Sequence, residues 1–106
     1  MNRKTFPSIL EQHFNLNMPG YLAALRQMVE INSFTAYAPG VNALGRLTAD
    51  LFARLGFQAE FVQSAVPHYG QHLVLTRQGH TNKTIGLVSH LDTVFPPDEE
   101  IRHDFA

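Results

Sequence analysis

The chain has 106 residues, 44% of them hydrophobic and 16% charged, with a formal net charge of -1 and no cysteine. That composition suits one folded domain or part of one, neither disordered nor embedded in a membrane. Lys and Arg are scattered, which leaves no basic stripe for nucleic acid, and without cysteine there is no disulfide, thiolate metal ligand or Cys nucleophile.

A chain of this size buries only about two-thirds of its unfolded surface, so modest stability is expected. Asn2-Arg3-Lys4 is basic, but Phe6 to Leu10 is too short and broken for the apolar region of a signal peptide. No run approaches the roughly 18 apolar residues of a transmembrane helix. The expectation is a soluble, cytoplasmic protein with no membrane or nucleic-acid partner.

Residues 7–14, "PSILEQHF", read as a short bracing helix with Ile9, Leu10 and Phe14 on one side. A second, firmer helix follows in "NLNMPGYLAALRQMVEINSF", where Pro19 falls in a first turn and Leu22, Leu25 and Val29 keep helical spacing. It should stop at the turn formers Asn32-Ser33. Residues 39–56 give the clearest helix, with Val41, Leu44, Leu47, Leu51 and Leu55 as one apolar stripe and Gly56 at its C-terminal end. Gly45 inside that pattern permits close packing.

The period then changes from helical to alternating. "FQAEFVQ" sets Phe57, Ala59 and Phe61 against Gln58, Glu60 and Gln63, as a half-exposed strand does. A loop, "SAVPHYG", leads to a second strand, "HLVLTR", and the turn "QGHTNK" leads to a third, "TIGLVS". The third is apolar on nearly every residue, which predicts a central strand covered on both faces. Two helices followed by three strands fit one edge and the middle of a layered α/β domain.

That third strand ends in "VSHLDTVFP". Ligands of open α/β sheets collect beyond the carboxyl ends of the strands, and His90 and Asp92 stand there. In extended geometry they share a face, about 6–7 Å apart along the strand. The histidine can ligate a metal through one ring nitrogen while its other N–H donates to the carboxylate, which fixes the tautomer. Alone, H-x-D is a weak signal, equally open to a strand-end His-Asp hydrogen bond with no metal.

"VSHLDTVFP" closely resembles the first metal-site motif of the di-zinc metallopeptidases that include glutamate carboxypeptidase, acetylornithine deacetylase, succinyl-diaminopimelate desuccinylase and aminoacylase. "VEINSFT", "PGVNALGRLTADLFARLGF" and "HLVLTRQG" precede it in the order that family shows, and "HLDTVFPPDEE" is most similar to the glutamate-carboxypeptidase branch. The resemblance implies a zinc-exopeptidase-like three-layer domain, a mixed central sheet flanked by helices. It makes His90 a ligand of one of two zinc ions and Asp92 the carboxylate of the catalytic site that orients His90 and tunes the metal. Co2+ or Mn2+ are further metals such ligands accept.

The implied reaction is hydrolysis of an amide bond next to a free carboxylate, in a peptide or an N-acyl amino acid. Residues 1–106 would be the N-terminal fragment of the catalytic domain. The bridging aspartate, the Glu-Glu pair, the later ligands and a dimerisation domain all lie further on in the family, whose full-length members form homodimers. Glu99-Glu100 comes too early to be that pair and reads as a solvated loop. His103-Asp104 reads as surface, and His13, His68, His72 and His80 as surface or packing, since none has a partner at ligand spacing. The isolated chain is therefore expected to be inactive. The competing expectation is a small non-catalytic α/β module, or a truncated product, with no metal site.

Overall fold

A computed structural model describes residues 5–97. Glu99, Glu100, His103 and Asp104 lie outside that range. The chain divides into two units, Met1–Glu30 and Ile31–Ala106.

The first unit is built on one helix, α1 (Phe6–Val29). The Thr5 hydroxyl caps it by accepting from the Ser8 N–H, and Pro7 stands in the first turn, where its missing N–H costs nothing. The two helices expected from the sequence are thus a single one, with Pro19 in its interior rather than at a start. An interior proline forfeits one backbone hydrogen bond and crowds the carbonyl four residues back, at about 3 kcal/mol. The helix continues because "YLAALRQMV" beyond it is made of good helix formers. No residue of α1 is buried. Arg26 pairs with Glu30 at 3.1 Å on its exposed surface.

The second unit contains α2 (Ala38–Ala53), β1 (Gln58–Val62) and β2 (His72–Thr76). At the end of α2, the Gly56 N–H bonds to the Ala53 carbonyl and the Phe57 N–H to the Phe52 carbonyl, the paired bonds of a Schellman turn. Gly56 takes φ = 88°, a left-handed conformation that side chains resist. The Phe52 and Phe57 rings close the turn edge to face, 5.4 Å apart. The glycine stop expected here is what forms.

β1 and β2 pair antiparallel, from Gln58 opposite Thr76 to Val62 opposite His72. Helix α2 packs on both strands through Val41, Leu44, Gly45, Thr48 and Ala49, all buried. The buried face is thus partly small residues, whereas Leu55 of the expected stripe lies past the helix and is exposed. Small residues let the sheet approach closely: a methyl on Gly45 would meet Phe61 Cε1 at 3.4 Å and Leu91 Cδ1 at 3.6 Å. Only β2 shows the alternation of a half-covered strand, because one helix does not cover the whole of two strands.

The loop between the strands is pinned to α2. The Gln71 N–H donates to Asn42 Oδ1 at 2.8 Å, and Gly70 lies against Val41, where an added methyl would come within 2.6 Å of Cγ1.

The expected third strand does not form. Residues 84–89 have no regular secondary structure and pair with nothing among the described residues, and Ile85 and Leu87 are 90% and 95% exposed. A strand holds its shape only when a neighbour takes up its N–H and C=O groups. The described residues form only a two-stranded antiparallel sheet, so the mixed α/β character holds while the central sheet of three layers is not seen. Among the described residues no helix is long and apolar enough to cross a membrane.

Candidate functional site

The site begins where the chain leaves α1. Asn32 makes a local turn by accepting the Phe34 N–H on Oδ1, and its Nδ2 donates to the Phe95 carbonyl at 3.2 Å. The Thr93 N–H donates to the Ser33 carbonyl at 2.8 Å, and the Thr35 N–H to the Thr93 carbonyl at 3.1 Å. These bonds make a parallel bridge between Phe34 and Thr93. The stretch after α1 therefore serves as a rail along which the His90–Asp92 segment is laid.

Thr35 brings chemistry as well as backbone. Its hydroxyl donates to Asp92 Oδ2 at 2.6 Å, a short charge-assisted bond. That donor is the main reason the Asp92 carboxyl is held below its ordinary value of 3.8. The backbone of Asp92 and His90 add to the effect, and partial burial opposes it. Asp92 is thus an anion with one oxygen fixed.

His90 Nδ1 lies 2.8 Å from the Asp92 backbone carbonyl and 3.5 Å from Asp92 Oδ1. A carbonyl can only accept, so Nδ1 carries the proton and donates. In the neutral ring this leaves the lone pair on Nε2, the arrangement of a metal-ligating histidine whose other nitrogen is held by a backbone carbonyl or carboxylate. The His90 side chain is 82% exposed, so Nε2 is accessible. The Asp92 main chain makes the shorter contact and its side chain the longer one, a refinement of the His-to-carboxylate bond expected from the spacing.

This donor set fits one ligand position of a zinc ion together with the group that orients it. Catalytic zinc takes three protein ligands. Among the described residues no three His, Cys, Asp or Glu side chains gather in a way that could hold a metal.

Over 88 residues the chain is 30% identical to carboxypeptidase G2 of Pseudomonas sp. (strain RS-16). The chain resembles a carboxypeptidase. The matched stretch is 83% of this chain and 21% of that protein, so the chain spans about a fifth of the relative's length. No protein-family profile and no solved structure matches the chain.

The other histidines are dispersed. His13 in α1 lies 3.2 Å from the Tyr21 hydroxyl, and the His68 ring stacks edge-on against Tyr69. His80 is exposed in the turn after β2. His72, at the start of β2, differs from these because it lines the same cavity as His90 and Asp92. Thr35 and Ser33 were not singled out from the sequence as site residues. The available signal was "VEINSFT", which points to them only once the two segments are known to pair.

Proposed function

We propose that this chain is the N-terminal part of the catalytic domain of a zinc-dependent hydrolase with a zinc-exopeptidase-like fold. Its reaction is cleavage of an amide bond next to a free carboxylate, in a peptide or an N-acyl amino acid. The observation that carries this reading is the locked His90–Asp92–Thr35 unit, in which Nδ1 is held and Nε2 is left for a metal. The similarity to a carboxypeptidase supports the same class.

In this reading His90 Nε2 would hold one of two zinc ions, and bound zinc would supply an acidified water and polarisation of the scissile carbonyl. The chain's own residues do preparatory work. Asp92 holds the imidazole in the Nδ1–H tautomer through its backbone carbonyl, and its carboxylate adds negative charge behind the ring. Thr35 keeps that carboxylate from turning away. The remaining ligands and the general base come from residues beyond the described ones, as does the pairing of residues 84–89 into a central sheet.

The absence of a three-ligand cluster among the described residues is the one observation that favours a non-catalytic module. Zinc calorimetry separates the two readings. The proposed function requires weak, stoichiometric binding that disappears in His90→Ala, with no hydrolysis of N-acetyl-L-glutamate by the 106-residue chain. Binding that survives the substitution, or clear hydrolysis by the chain alone, contradicts it.

A further inference from the structure

The peptide group between Asp92 and Thr93 is bonded on both of its sides. Its carbonyl accepts the His90 Nδ1–H at 2.8 Å, and its N–H donates to the Ser33 carbonyl at 2.8 Å. In a trans peptide the C=O and N–H point in opposite directions, so one rigid plane links the His90 ring to Ser33. Each hydrogen bond in such a line polarises the next, which makes the Asp92 carbonyl a better acceptor for the ring N–H.

The far end of the line is sheltered and held. Ser33 is only 3% exposed, so water does not compete for its carbonyl. The following peptide is gripped as well, because the Thr93 carbonyl accepts the Thr35 N–H at 3.1 Å. With both of its peptide groups bonded to the segment after α1, Thr93 has little freedom to turn the Asp92 carbonyl away from the ring. The Asp92 carboxylate stands differently. Its Oδ2 is taken by the Thr35 hydroxyl, and its Oδ1 lies 3.5 Å from Nδ1, outside the usual N–H···O range of about 2.7–3.2 Å. Of two acceptors near one N–H, the backbone carbonyl is the nearer and the better anchored.

We propose that the Asp92–Thr93 peptide, fixed by the Ser33 carbonyl, sets the tautomer of His90, and that the Asp92 carboxylate does not make that choice. Ser33 and Thr93 are then positioning residues that act through their main chain, and they aim the Nε2 lone pair outward. The inference rests on the hydrolase reading for its purpose, a metal at Nε2, and on the backbone geometry alone for the tautomer.

The test reads the His90 ring nitrogens of the ¹⁵N-histidine-labelled 106-residue chain without metal, well above the ordinary histidine pKa of about 6.5 so that the ring is neutral. The expected pattern is a protonated Nδ1 and a bare Nε2. Asp92→Asn, which discharges the side chain and keeps the peptide, should retain that pattern. Thr93→Ala keeps the N–H and should retain it too. Thr93→Pro removes the N–H, and its His90 nitrogens should move to the averaged shifts of a ring exchanging both tautomers, with Zn2+ binding weakened about tenfold or more. The ring resonances of His68 and His72 report whether the α2–sheet core of that variant is intact. A switch to the Nε2–H form in Asp92→Asn overturns the proposal by itself, whatever the folding of the proline variant, and so does an unchanged Nδ1–H pattern in Thr93→Pro. A His90 that ignores Zn2+ in the unsubstituted chain, with its Nδ1–H pattern intact, overturns the hydrolase reading instead, so the two failures are distinguishable.

Discussion

Thr35 and Asp92 stand 57 positions apart, and their 2.6 Å contact fixes the orientation of the whole candidate site. Replacing Thr35 with Val keeps the shape and removes the hydroxyl. A hydrogen bond to a charged group is worth about 1.5–3 kcal/mol, but the Asp92 side chain is 39% exposed, so a loss of about 1 kcal/mol is expected from thermal melts. The Asp92 carboxyl should return towards its ordinary value, measurable from its ¹³C shift across a pH series. Because that carboxyl is lowered in the folded chain, its contribution to stability is fully present above 3.8 and lost as the pH falls through the lowered value. Thr35→Val should flatten that acid limb, and an unchanged limb would show that the bond does not matter. The closeness of His90 and Asp92 was legible in the sequence because two residues of one short motif carry their own spacing. Thr35 was not, since contact between two distant segments leaves no periodic trace.

Among the elements, α2 and the two strands were legible from their periods, and Gly56 marked the helix end because only a glycine accepts the φ it needs. The merger of two expected helices into α1 was hidden by Pro19, which reads as a start but sits mid-helix here. Two glycines of the second unit make opposite predictions. Gly70→Ala forces a methyl within 2.6 Å of Val41 and should destabilise by about 1–3 kcal/mol in denaturant unfolding. Gly45→Ala meets only ordinary contacts at 3.4 and 3.6 Å, and should stabilise by about 0.5–1 kcal/mol through helix propensity. Finding both variants equally damaged would mean that the α2–sheet contact is not as described.

At the scale of the molecule the buried apolar core of the described residues is small, comprising Val41, Leu44 and Ala49. Outside it, Ile85, Leu87 and Val88 stand almost fully exposed in a run whose sequence belongs inside a sheet. The sequence pattern predicted a strand covered on both faces there, and the run is neither paired nor covered, because a strand also needs neighbours, which a pattern of side chains does not supply. Unpaired apolar segments of this kind drive association. Leu87→Lys should therefore raise the concentration at which the chain stays monomeric in light scattering while leaving its melting temperature unchanged, since a 95% exposed side chain supports nothing in the fold. A fall in melting temperature would show that Leu87 packs after all. Among the described residues, the proposed metal site rests on one histidine, His90, held by Nδ1 with Nε2 left open. The most direct measurement is a Zn2+ titration of the histidine-labelled chain followed at the ring nitrogens. The expected result is a shift of His90 Nε2, with Nδ1 keeping its proton and the shift lost in His90→Ala. A zinc response at other histidines with His90 silent would contradict it.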